Sequence, residues 1–297
     1  MRVRTHPTLW AQRVAVVAVA LAGADTVGSA LSDRSRPVAF ALTALAWMIW
    51  ASAALATAVP HPLGLTTLRV MTPALAVGMG WSLVASSGAR SVGAEVLGGL
   101  ALVSAVVVAV LSVSSWVADA FLDGRSYGDE RRFSLRIPAT LLLGPVPLAT
   151  VVPSTWMIAT VGLLASRSFV AGIIVGLVGA IVSWRAVRSL HTLSSRFVVF
   201  VPAGLTIVDP LILADSVLFP RARVVAIGPA PADTAGTDLS QQAPGLALQL
   251  DLDTPTSMTV IEGRSSASEV TTRQVIFTPG RPAAVLDEAE RRRFSRA

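Results

Sequence analysis

The chain has no cysteine and no lysine, and only one tyrosine and three histidines among 297 residues. Without cysteine there is no disulfide framework, thiolate zinc site, thiol nucleophile or iron–sulfur cluster. Without lysine there is no GxxxxGK[S/T] phosphate loop, no Schiff-base chemistry and no kinase-type catalytic lysine, so ATP-driven and pyridoxal mechanisms drop out. All 24 basic residues are arginines. His6, His61 and His191 stand isolated with no HExxH, and no serine sits in a GxSxG elbow. Zinc hydrolysis and intramembrane proteolysis therefore lack candidate residues. The residues give no positive case for an enzyme, leave a lipid-modifying activity open, and predict no cofactor and no metal site.

Charge is the second shortage. Charged residues make up 14% of the chain and apolar ones 53%, against about 25% charged in an average soluble domain. That balance points to lipid. Up to Arg196 there are 15 arginines against 7 acids, whereas residues 197–297 hold 9 against 11. The basic excess thus belongs to the apolar part, and the slightly acidic remainder offers no basic face for nucleic acid.

What the chain does have is a series of apolar runs between Val14 and Leu190, each near the ~20 residues a helix needs to cross about 30 Å of hydrocarbon. Six spans are predicted: Val14 to Leu31, Val38 to Val59, Leu68 to Ser86, Gly93 to Val117, Ile137 to Ala165 and Phe169 to Leu190. The fifth contains Pro145, Pro147 and Pro153, each removing a backbone donor, so a kink, a break or a re-entrant path is open there. The expected architecture is a polytopic α-helical membrane bundle over 1–195, then a C-terminal antiparallel β-barrel or sandwich domain over 196–297 ending in a helix.

Orientation follows from arginine near the span ends. Arg2, Arg4, Arg13, Arg69, Arg125, Arg131, Arg132, Arg136, Arg185, Arg188 and Arg196 fall on one side, and only Arg34, Arg36, Arg90 and Arg167 on the other. Eleven against four places both termini in the cytoplasm of a cell whose plasma membrane holds the bundle. "MRVR", a short apolar run and "AGA" before Asp25 also fit a cleaved signal peptide, which leaves the C-terminal domain on the same side.

Ionisable groups in or at the rim of spans are the candidate polar sites, because charge in lipid is costly. Asp25 lies in the second half of span 1, and Arg69 and Glu95 at the starts of spans 3 and 4. They serve either a solute path or local snorkelling and helix bonding. Trp10, Trp81, Trp116 and Trp184 fall near span ends, as an interfacial belt requires, and Trp47 and Trp50 share one face mid-span. Ser168, Gly172, Gly176 and Ala180 repeat every four residues, a small-residue stripe on which another helix of the bundle or of a second copy can pack.

The loop "ADAFLDGRSYGDERRFSLR" holds Asp119, Asp123, Gly124, Arg125 and Asp129. These are superficially similar to the aspartate-rich signature of membrane CDP-alcohol phosphotransferases, whose carboxylates hold divalent metal. The first gap is three residues here instead of two, and the later aspartates of the signature are absent. The loop reads instead as an interfacial segment whose Arg131, Arg132 and Arg136 meet anionic lipid headgroups.

Beyond Arg196 the runs "RFVVFV", "AGLTIVD", "SVLFP", "ARVVAIG", "LALQLDLD", "SMTVIE" and "TRQVIFT" are short, β-branched and closed by turns. "GPAPADTAGTDLSQQAPG" reads as a mobile loop. In "RPAAVLDEAERRRF" Pro282 opens a helix with Pro282, Val285, Leu286 and Ala289 on one face, and Asp287–Arg291 and Glu288–Arg292 as i, i+4 pairs. About seven strands and a terminal helix resemble the pleckstrin-homology-like split barrel, a likeness of element order over about a hundred residues. The whole arrangement looks like integral membrane proteins of GC-rich actinobacteria. The resemblance implies a binding module, but "VPAGLTIVDPLILAD" has two acids and no base where a phosphoinositide site would gather basic groups. Docking of a protein partner on a membrane scaffold or regulatory protein is the leading expectation, and solute transport or a channel role through Asp25, Arg69 and Glu95 the alternative.

Overall fold

The computed structural model describes residues 7–86, 91–262 and 266–296. Arg2, Arg4, His6, Arg90 and Ala297 lie outside the described residues. The chain divides into two compact units, Met1–Val117 with Val146–His191, and Ala118–Pro145 with Thr192–Ala297. One junction lies close to the boundary expected at 195/196. The other was not legible: the segment between spans 4 and 5 belongs with the C-terminal part.

The first unit carries long apolar helices: α1 (Pro7–Leu31), α2 (Arg36–Ala58), α3 (Pro62–Ala85), α4 (Val92–Val113), α7 (Pro145–Ala165) and α8 (Phe169–Ser194). Between α4 and α7 the chain forms the short helices α5 (Ser115–Asp123) and α6 (Ala139–Leu143). Among the described residues six segments are long and apolar enough to cross a membrane, with Ala139–Ala165 as the fifth. The chain is thus built as a multi-pass membrane protein. Gly144, at φ −128° and ψ −76°, breaks the fifth segment between α6 and α7. Pro145 then starts α7, where a missing N–H costs nothing, and Pro153 stands inside it. Within the bundle α1 packs on α4, with Ala15, Val16 and Val108 buried together against Trp50 and Ala54. Trp50 Nε1 donates to the Val16 carbonyl at 2.8 Å, and its ring meets Trp47 edge-on at 5.4 Å.

The second unit is β-rich. Strands β1 (Arg131–Ser134), β2 (Phe197–Val201), β3 (Gly204–Val208) and β4 (Val217–Pro220) form one antiparallel sheet in that order. The second sheet runs β5-β7-β8-β6, from β5 (Val224–Pro229), β6 (Thr237–Asp238), β7 (Leu248–Glu262) and β8 (Ser266–Phe277). In it β6 lies parallel to β8 and the other pairs are antiparallel. Among the described residues both sheets keep their edges and no closed barrel forms. Helix α9 (Pro282–Arg291) follows.

One hydrophobic core serves both sheets and α9. Phe133 of β1, Phe200 of β2 and Phe294 after α9 make successive edge-on contacts at 6.0 and 5.8 Å. Val285 and Ala289 of α9 are fully buried in the same cluster, as their shared face predicts. Three expectations need correction. The runs "LALQLDLD" and "SMTVIE" are one strand, β7, whose pairing slips between Asp251 and Thr256 around the donor-less Pro255. The segment expected to be mobile is anchored: Leu239 is 2% exposed in the core and its N–H donates to the Ile276 carbonyl at 2.8 Å. Asp287 pairs with Arg296 at 3.7 Å and not with Arg291, whereas Glu288–Arg292 forms at 2.7 Å.

Candidate functional site

Two carboxylates on α5, Asp119 and Asp123, stand at i, i+4 and so share a face. Both reach β1. Asp119 is 5% exposed, and its Oδ1 accepts from the Ser134 N–H at 2.7 Å and the Ser134 hydroxyl at 2.6 Å. Its Oδ2 forms an ion pair with the Arg281 guanidinium at 3.5 Å. Asp123 accepts from the Ser126 hydroxyl at 3.0 Å, the Arg132 N–H at 3.2 Å and Arg131 Nη1 at 2.5 Å. The pair therefore ties α5, β1 and the start of α9 together.

Burial dominates the Asp119 electrostatics. Removal from water pushes its carboxyl up to about 6, against the opposing pull of the Ser134 bonds and of Arg281 and Arg131. The same desolvation lowers Arg281, and Asp119 partly restores it. Among the described residues no three His, Asp or Glu side chains converge as metal ligands. Asp119 and Asp123 bond to backbone N–H groups, serine hydroxyls and arginine.

The expected lipid-contacting arginines are divided. Arg131 is engaged by Asp123 and lies 5.9 Å from the Phe133 ring centroid. Arg132 pairs with Glu130 at 3.0 Å and covers Phe197 at 5.2 Å. Arg136 is exposed, while its backbone N–H donates to the Thr278 carbonyl at 2.9 Å. The sequence reading missed that this segment is a strand because four residues with two arginines give no period-2 signal.

In the bundle, Asp25, Arg69 and Glu95 do not share a site. Asp25 and Glu95 are exposed, whereas Arg69 is 8% exposed and its Nε donates to the Ser112 carbonyl at 3.3 Å, near the end of α4. Glu95 lies in the first turn of that helix, roughly 25 Å away along the axis at 1.5 Å per residue. Beside Arg69, Thr72 Oγ1 lies 3.3 Å from Ser112 Oγ, and Thr66 Oγ1 lies 3.1 Å from His191 Nδ1. Gln12 is fully buried, and neither of its amide atoms finds a hydrogen-bond partner among the described residues. Sequence spacing did not single it out.

The small-residue stripe of α8 receives α7. A Cβ on Gly172 would meet Leu164 and one on Gly176 would lie 3.3 Å from Thr160 Cγ2. One on Gly179 would fall inside the Trp156 ring, whose Nε1 donates to the Gly176 carbonyl at 3.1 Å. Ser168 and Ala180 are exposed, so the contact stripe runs through Gly172, Gly176 and Gly179. Comparison of the chain with protein-family models, curated proteins and solved structures finds no match.

Proposed function

We propose that the chain is a non-enzymatic membrane scaffold or regulatory protein whose β unit faces the cytoplasm and docks a protein partner. The observation that carries this reading is the single core of the β unit, into which Phe133 from between two spans is built alongside Phe200 and Phe294. The core makes a pre-formed module tied to the membrane segments at more than one point in the chain. Pre-organisation of this kind favours binding, because little conformational freedom is lost on association.

The order of four antiparallel strands, a second, mixed sheet and a terminal helix is similar to the pleckstrin-homology-like fold, which supports a binding module, although the sheets here stay open. The engaged state of Arg131 and Arg132 argues for protein over lipid as the ligand. The arginine asymmetry supports the cytoplasmic side of a bacterial plasma membrane.

Photo-cross-linking in cells from Leu218 or Leu246, both exposed apolar positions of the β unit, tests the reading. A defined protein is the expected product. Recovery of lipid alone from both positions refutes it.

A further inference from the structure

The second sheet breaks register twice, in β5 between Val224 and Ala226 and in β7 between Asp251 and Thr256. At these breaks lies an open groove of about 660 Å³, walled by Val225, Leu252 and Ala235 and carrying Asp251, Gln274 and Arg273. Asp251 pairs across the sheet with both Ala226 and Gln274, at the centre of this feature.

The Asp251 carboxylate is half-buried and oriented. Its Oδ1 accepts from Gln249 Nε2 at 2.7 Å and from Gln274 Nε2 at 3.0 Å. Gln249 is itself fixed, since its Oε1 accepts from the Thr234 hydroxyl at 2.5 Å. Thr234 begins a strap that lies tightly on β8. A Cβ at Gly236 would stand 3.0 Å from Gln274 Cβ, so only glycine fits there without displacement. Two neutral amides orient the carboxylate and leave its charge in place. Among the described residues no arginine or histidine stands within ion-pairing distance of Asp251.

A partly desolvated, pre-oriented carboxylate without a countercharge is stabilised by a cation supplied from outside. The groove's open form suits a side chain presented by another surface better than an engulfed small molecule. We propose that this groove takes a lysine or arginine side chain of the protein partner onto Asp251, with the aliphatic stem lying against Val225. The inference rests on the docking reading above and names its contact point. Arg273, exposed in the same groove, opposes a cationic occupant and so limits how many basic groups it accepts.

The test is a fluorescence-anisotropy titration of the full chain in nanodiscs of neutral lipid. The probes are a labelled nonapeptide of alternating valine and lysine and its twin with glutamine at each lysine. The lysine peptide should bind about fivefold or more tighter than the twin, the scale of a partly exposed ion pair. Asp251→Asn should erase that difference, and Arg273→Ala should tighten the lysine peptide. Equal binding of both peptides, binding of neither, or a lysine preference that survives Asp251→Asn overturns the proposal. Tightening by Arg273→Ala of the lysine peptide alone, with the glutamine twin unchanged, separates a charge effect from misfolding, because exposed core would raise the binding of both valine-rich peptides. Cellular cross-linking that still captures the same protein from the Asp251→Asn chain leaves the docking reading intact and removes this groove as its site.

Discussion

Arg196 grips Asp209 through two guanidinium nitrogens, Nε to Oδ1 at 2.8 Å and Nη2 to Oδ2 at 2.6 Å, with both side chains almost wholly buried. The third nitrogen, Nη1, donates to the Arg136 carbonyl at 2.8 Å, and Asp209 Oδ1 also accepts the Leu211 N–H at 3.1 Å. Fork-to-fork geometry with the remaining groups satisfied is what makes a buried ion pair tolerable. The pair also joins the residue immediately before β2 to the segment ahead of α6, across 60 positions of sequence.

Removing one partner strands the other charge in the core. Arg196→Leu should destabilise the β unit by about 3–5 kcal/mol. Arg196→Leu with Asp209→Leu should recover much of that loss. Thermal unfolding of the β unit in detergent, followed by hydrogen exchange on β2 and β3, reads both. A single variant as stable as the parent would show that the pair is not desolvated as described.

Phe133 tests whether the segment between spans belongs to the β unit. Phe133→Ala should cost about 3–5 kcal/mol, the range for emptying an aromatic site in a packed core. Limited proteolysis should then cut near β2 as well as near β1. A variant that loosens only residues 125–137 would separate the segment from the core.

Asp119 sets a pH dependence with a definite sign. Its carboxyl lies near 6 in the folded unit, against about 3.9 in an unfolded chain. The folded state therefore binds the proton more tightly. This contribution is fully present below about pH 4 and is lost as the pH rises through about 6. The parent minus Asp119→Asn difference in unfolding free energy should fall by up to about 3 kcal/mol between pH 4 and 7. A flat difference across that window contradicts the burial argument.

Gly179 and Ala180 are neighbours with opposite tolerances. Gly179→Ala places a methyl where Trp156 sits and should shift tryptophan emission and lower the melting temperature of the helical unit. Ala180→Leu, at an exposed position, should change neither. Equal effects at the two sites would mean that α7 does not seat on the glycines.

Topology follows from arginine placement and an even number of spans. A reporter active only in the cytoplasm should be active when fused after Ala297 and silent after Arg36, with an exported reporter giving the reverse. Activity of the exported reporter at the C-terminus would put the β unit outside and exclude a cytoplasmic partner.

The six membrane-length helices and the β-rich, helix-ended tail were legible in the amino-acid sequence. Both are written in local statistics: apolar length for one, short β-branched runs between turns for the other. The sequence also marked Val285 and Ala289 as the inner face of α9 through helical spacing alone. Only the folded arrangement makes Arg131–Ser134 the edge strand of a sheet formed mainly by residues 197–220. Only it showed that Leu239 enters the core from an apparent loop, and that Asp119 faces Ser134 and Arg281. Each of these depends on partners between 15 and 162 positions away. A contact between distant residues leaves no period in either segment, so it exists only once the hydrophobic core has brought the two together.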